Sequence, residues 1–219
     1  MPHHAEEHGG NEEGGSNTVT VISMGPERAT EAVRKALSMG ANDAILITDA
    51  KLAGADALAT SAVLAAVIAA GSYDLIICGT ESTDARMSVV PAMLAERLNA
   101  AQLTFASKVT VEPAASKVSI TRVTEAGVDE MHGQFPAVIS VVEKINEPRY
   151  PSFKGIMAAK KKTIETKDLA AVGVTAASGW SEVKDATPRP PRAAGVKVTD
   201  DNGSGAEALV NFLAEKKLI

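Results

Sequence analysis

The densest set of groups that could do chemistry lies in residues 79–90, GTESTDARMSVV. The run offers the hydroxyls of Thr80, Ser82, Thr83 and Ser88 and the guanidinium of Arg86, and it leads into a helix expected over about residues 88–98. The free N–H groups of a helix start, with a guanidinium nearby, suit a phosphate. An ordinary polar strand-to-helix loop has the same composition, so the residues alone leave both readings open. Neither a Gly-x-Gly-x-x-Gly run nor a P-loop is present. Cys78 ends an apolar run with nothing basic beside it, which describes a packed thiol rather than a nucleophile. Glu125, Asp129 and Glu130 lie close to His132, but on an apparent hairpin such groups are expected to be solvated. His3, His4 and His8 have no cysteine or organised carboxylates beside them. No catalytic residue and no metal ligand is assigned.

A second stretch, residues 146–162 (NEPRYPSFKGIMAAKKK), has a different character. Pro148 and Pro151 fix φ and push Glu147 and Tyr150 towards extended backbone, so no helix can begin before Pro151. Ser152 is then the expected N-cap of a helix over residues 153–162, with lysines at the end where the helix dipole favours them. Tyr150, Phe153, Ile156 and Met157 form a large apolar display rimmed by charge. That is the make-up of a partner-docking loop.

The elements that must carry these two stretches read as alternating strands and helices. Residues 18–24 form a β-branched strand ended by Gly25-Pro26, with Pro26 placed to open a helix over about 27–39. That helix puts Ala29, Val33, Ala36 and Leu37 on one face, and Gly40 stops it. A strand at 44–48, an alanine-rich helix reaching Ala70 and a strand at 74–78 follow. The continuous apolar runs AILIT and LIIC suit strands covered on both faces. The alternation predicts an α/β fold, a mostly parallel sheet with helices on both faces, whose ligands bind beyond the carboxyl ends of the strands. Residues 103–107, 108–112, 117–123 and 137–143 read as further strands, adding an antiparallel hairpin region. The expected organisation is a disordered or loop segment at 1–17, a nucleotide-binding-like α/β domain at 18–167, and an extended C-terminal arm at 168–219. The arm holds Pro188, Pro190 and Pro191 and ends in an amphipathic helix over about 206–218.

Composition narrows the classes of function. Aromatic residues make up only 3 % of the 219, so alanine and valine must fill the core. A net charge of −5 argues against a nucleic-acid binder, and a single cysteine excludes an intrachain disulfide. The longest apolar run, 52–70, contains Asp56, Thr60 and Ser61 and is expected as a buried helix rather than a membrane span. These features, with a polar and acidic N-terminus, lead to the expectation of a cytoplasmic protein without membrane insertion.

Five separated segments carry a family resemblance. They are residues 146–162, Ser23-Met24-Gly25-Pro26, Ala36-Leu37-Ser38-Met39-Gly40-Ala41, Gln102-Leu103-Thr104-Phe105-Ala106-Ser107 and Phe135-Pro136-Ala137-Val138-Ile139-Ser140. Taken in chain order, over about residues 18–174, the sequence resembles the electron-transfer flavoprotein beta subunit family. The resemblance implies a heterodimer with an alpha subunit that holds most of the FAD. It implies transfer of electrons from acyl-CoA or other flavin dehydrogenases, as in fatty acid oxidation, towards a membrane quinone reductase, with no catalytic residue of the beta subunit's own. It also implies a buried AMP, whose pocket would include Met24, Thr83, Asp84, Arg86, Met87, Ser88, Val89 and Val90. Phe153 matches the apolar anchor of the family's dehydrogenase-docking loop, where leucine is usual, and Tyr150, Ile156 and Met157 surround it. Where the family has an Asn-Gln-Thr-like polar run at the helix start, this sequence has Ser88-Val89-Val90, leaving one hydroxyl and the backbone N–H groups.

The sequence departs from the family at its front. Members begin with a buried strand, a loop and most of a helix, whereas this sequence starts near the end of that helix. A sheet missing a strand presents an unpaired edge, so a gap or exposed edge is expected there. The competing functions are a free-standing adenine-nucleotide-binding α/β protein or hydrolase and a truncated, non-functional remnant. A hydrolase would need a phosphate-binding glycine motif or a paired acid and base, and the sequence contains neither.

Overall fold

The computed structural model describes residues 17–174, 179–181, 183–195, 197–200 and 202–219. The chain divides into two units, Met1–Val183 and Lys184–Ile219. The first carries β1 (Thr20–Met24), α1 (Thr30–Ser38), β2 (Asp43–Ile47), α2 (Ala57–Ala69), β3 (Leu75–Gly79) and α3 (Val90–Leu98). It continues with β4 (Ala101–Glu112), β5 (Lys117–Thr124), β6 (Gly127–Gln134), β7 (Ala137–Val141), α4 (Phe153–Lys161), β8 (Glu165–Lys167) and α5 (Leu169–Val172). The second unit carries α6 (Ser204–Glu215), with Leu209, Val210 and Phe212 exposed along it.

The fold is α/β, as the alternation predicted, and its strands lie in two sheets. One has the order β1-β2-β8 and is parallel throughout. The other has the order β3-β7-β4-β5-β6, parallel through β4 and antiparallel from there. The period of two along β2 shows why AILI is apolar throughout. Ala44 and Leu46 pack with Val33 and Leu37 of α1 and Ala159 of α4, whereas Ile45 and Ile47 pack with Val63 and Val67 of α2 and Leu169 of α5. Both faces are buried, so neither can be polar.

Helix α2 is apolar all round and is accordingly buried on several sides, at Ala59, Ser61, Val63, Ala65, Val67 and Ile68. Its one deeply buried polar group is satisfied. The Ser61 hydroxyl donates to the Leu58 carbonyl and accepts from Arg97 Nε of α3. Asp56 caps the helix through the Ala59 N–H, and its other oxygen accepts from the N–H groups of Trp180 and Ser181.

Several expectations need correction in detail. The helix expected from residue 27 opens as a 3-10 turn, Glu27–Ala29, with Pro26 extended before it, and the α-helix begins at Thr30. The strands expected separately at 103–107 and 108–112 are one strand, β4, whose register shifts on both sides of Ala106. Phe105 takes φ 63° there, and its N–H donates to the buried Ser140 hydroxyl. This bulge bends one strand so that its first half pairs with β7 and its second half with β5. The short strand β8 and the polar strand β6 carry no apolar run, and periodicity overlooked both. The expected edge is present: among the described residues, β1 pairs only with β2 and β3 only with β7.

Candidate functional site

The apolar tip is built on the C-terminal end of α1. Ser152 caps α4, its hydroxyl accepting from the Gly155 N–H at 3.1 Å, with the extended backbone that an N-cap takes. Gly155 is required by packing, because a Cβ there would lie 2.5 Å from the Ser38 carbonyl oxygen. Helix α4 therefore meets α1 almost backbone to backbone, and Ala159 is buried in the same contact. Three cations finish the seat. Arg149 Nη2 donates to the Met39 carbonyl at 2.8 Å, and Lys162 Nζ donates to the Ala41 carbonyl at 2.6 Å. Arg34 Nη1 donates to the carbonyls of Ala159 and Lys162, closing the last turn of α4. Arg34 and Arg149 sit where a helix end leaves carbonyls without partners and where the dipole favours positive charge, and Lys162 ties down the turn that follows α1.

On this seat the large side chains point outward. Tyr150 is 95 % exposed and Phe153 80 %, and Ile156 and Met157 follow Phe153 at three and four residues on the same helical face. No core residue requires these four to be apolar. Exposed together on a backbone tied to α1, they would lose little backbone entropy on being covered.

The loop after β3 is polar and held chiefly by its own turns. The Thr80 hydroxyl donates to the Val141 carbonyl and ties the end of β3 to the end of β7. The Ser82 hydroxyl and the Ala85 N–H hold the Asp84 carboxyl below the usual carboxylate range. Arg86 and Ser88 both take positive φ, at 50° and 57°. Helix α3 starts without a side-chain cap, Pro91 contributes no N–H to its first turn, and the Ser88 hydroxyl reaches Glu81 at 3.4 Å. The Arg86 guanidinium has no hydrogen bond or ion pair among the described residues, and the loop from Glu81 to Met87 is exposed. An uncapped helix start beside an uncommitted guanidinium fits a phosphate in the chemistry of its donors.

The other candidate residues are dispersed. Thr83, Asp84 and Met87 lie on the exposed part of this loop. Val90 packs beneath it with Leu94 and Val138, and Val89 is the half-buried residue before α3. Met24, at the carboxyl end of β1, packs against Ile47, Val63, Val67 and Leu169. Cys78 is mostly buried, which pushes its thiol up to about 11. Arg122 pairs with Asp129 at 2.7 Å, and Thr121 donates to Glu130, so two members of the acidic set serve the β5–β6 ladder. His3, His4 and His8 lie outside the described residues, as does all but the last residue of the 1–17 segment. Among the described residues no group of three or more histidine, cysteine or acidic side chains could hold a metal ion.

Sequence reasoning overlooked the anchoring role of Arg34, Arg149 and Asp56. Asp56 had a legible signal, an aspartate immediately before an apolar helix. The two arginines had none, because their carbonyl partners are 110 or more residues away in sequence.

Comparison with known proteins identifies the family. The model of the electron transfer flavoprotein domain matches residues 10–172. An electron transfer flavoprotein subunit beta from Mycobacterium tuberculosis is 46 % identical over 213 residues, covering 94 % of this chain and 79 % of its own length. Those from Megasphaera elsdenii and Bradyrhizobium diazoefficiens are 36 % and 38 % identical, covering 90 % and 86 % of this chain and 77 % and 74 % of their own lengths. With the matched region spanning both the polar loop and the apolar tip, the chain belongs to the electron transfer flavoprotein family, among its beta subunits.

Proposed function

We propose that this chain is the beta partner in a heterodimeric electron carrier. An alpha subunit holds FAD, the apolar tip docks acyl-CoA or related flavin dehydrogenases, and the electrons pass on to a membrane quinone reductase. The observation that carries the reading is the tip: Tyr150, Phe153, Ile156 and Met157 exposed together on a helix whose backbone is fixed by Arg34, Arg149 and Lys162. The names of the beta-subunit relatives support a flavoprotein assembly. The redox chemistry is the flavin's, and this chain positions and recognises.

The loop after β3 binds AMP as a structural ligand in this reading. Arg86 and the first N–H groups of α3 receive the phosphate, Ser88 adds a hydroxyl once released from Glu81, and Met24, Thr83, Asp84, Met87, Val89 and Val90 surround the nucleoside. The carrier in this reading is cytoplasmic and meets its quinone reductase at the membrane surface; no described helix is long and apolar enough to cross a membrane.

Co-expression with the alpha subunit from the same genome tests the assembly. The expected result is one co-purifying complex with flavin absorbance, which releases AMP on denaturation. Separate elution of the two chains at micromolar concentration would overturn the heterodimer. A flavin-loaded complex without nucleotide would overturn the AMP assignment alone.

A further inference from the structure

After α5 the chain returns to the first residues of α2. The Val174 N–H donates to the Leu169 carbonyl and closes α5. Further along the described residues, Gly179, Trp180 and Ser181 meet Asp56. This contact lies wholly within the first unit, just before its boundary at Val183.

The two carboxylate oxygens of Asp56 have separate tasks. Oδ1 accepts the Ala59 N–H at 2.9 Å and caps α2. Oδ2 accepts three donors of the returning chain: the Trp180 N–H at 2.6 Å, the Ser181 N–H at 3.1 Å and the Ser181 hydroxyl at 3.3 Å. A cap requires one oxygen, so α2 has no need of the second. Three donors converging on one oxygen call for an anion. The Ala59 N–H, and after it those of Trp180 and Ser181, hold this carboxyl below its ordinary 3.8, so it is ionised at neutral pH. The approach is close enough to demand glycine. A Cβ on Gly179 would lie 2.7 Å from Asp56 Cγ and 2.8 Å from both oxygens, and the carboxylate would have to leave its partners. Little apolar surface backs the contact, because Gly179 and Ser181 are exposed and Trp180 is 91 % exposed.

We infer that Asp56 is a releasable clasp, which straps residues 179–181 to the start of α2 and so sets the length of tether available to the second unit. Closed, it returns the chain to the first unit shortly before Lys184. Open, it leaves the Val174 contact as the nearer hold, and the tether lengthens by the residues between. A strap held by hydrogen bonds to one side chain, with little buried surface, opens locally while the core stays folded. An aspartate serves where an asparagine would not, since an amide nitrogen in place of Oδ2 would face the N–H groups of Trp180 and Ser181 donor to donor.

Three variants of the full chain test this. Gly179→Ala crowds the carboxylate, Asp56→Asn removes the anion, and Ser181→Ala deletes only the longest of the three bonds to Oδ2. Amide hydrogen exchange is followed residue by residue, with the fluorescence anisotropy of Trp180, the chain's one tryptophan, as a second readout. Gly179→Ala and Asp56→Asn should each speed exchange at Trp180 and Ser181 by at least about tenfold and lower the anisotropy. Exchange at Val174 should match the parent in both, and Ser181→Ala should behave as the parent throughout. Exchange at Trp180 and Ser181 that is already as fast in the parent as in an unstructured peptide would overturn the clasp. So would unchanged exchange there in Gly179→Ala, or equal acceleration at Val174, which would mean general loosening instead of release of the strap.

Discussion

The polar loop after β3 and the apolar tip before α4 are both exposed, yet they are held by opposite means. The loop is fixed largely from within, by Asp84 on Ser82 and Ala85 and by two residues in positive φ, and Thr80 is its tie to β7. The tip is fixed from outside, by the α1–α4 approach at Gly155 and by three cations on distant carbonyls. A loop that supplies its own turns can close around a small anion with short-range adjustments. A tip seated on a second helix holds a large surface still, which is what a macromolecular contact rewards. The difference also means that side chains at the tip can be changed without disturbing its seat.

The largest effect should come from breaking the seat. Gly155→Val places a side chain against the Ser38 carbonyl and should cost about 1–3 kcal/mol in urea unfolding, and it should abolish dehydrogenase coupling by displacing α4. Phe153→Ala should leave unfolding unchanged and weaken dehydrogenase coupling by roughly 30-fold, as for a central anchor worth about 2 kcal/mol. Equal losses of stability in the two variants would erase the distinction between seat and tip. Arg86→Ala should weaken AMP binding by about tenfold, read by equilibrium dialysis, since a charge-assisted bond contributes about 1.5 kcal/mol. Its coupling to dehydrogenases, at saturating AMP, should match the parent chain.

The smallest effect concerns Asp56, which lies outside both regions. The Ala59 N–H, with those of Trp180 and Ser181, lowers its carboxyl from the ordinary 3.8. A depressed carboxylate pKa contributes stability above the unfolded value, and that contribution is lost as pH falls through the folded value. Asp56→Ala should therefore lower Tm at pH 7, and the deficit should shrink below about pH 3.8. A deficit independent of pH would show that the charge is not what matters.

The sequence made the helix over residues 153–162, its Ser152 cap and its exposed apolar set legible, because those are local effects of proline, serine and i, i+3, i+4 spacing. The cations that seat the tip were illegible because their carbonyl partners become neighbours only in the folded chain. The bend in β4 was illegible for a related reason: Ser107-Lys108 looks like a break between two strands, and the bulge depends on Ser140 from a distant strand. At the polar loop, chemistry named Arg86 and Ser88, whereas Val90 came only from the family resemblance and packs inward.

The most direct test of the division between loop and tip is a double-variant cycle with Arg86→Ala and Phe153→Ala in the flavin-loaded heterodimer. Each preparation is measured for bound AMP and for the rate of flavin reduction by a dehydrogenase. The account predicts that Arg86→Ala lowers AMP alone, Phe153→Ala lowers the rate alone, and the double variant shows both losses with coupling below about 0.5 kcal/mol. A fall in AMP content caused by Phe153→Ala would contradict it.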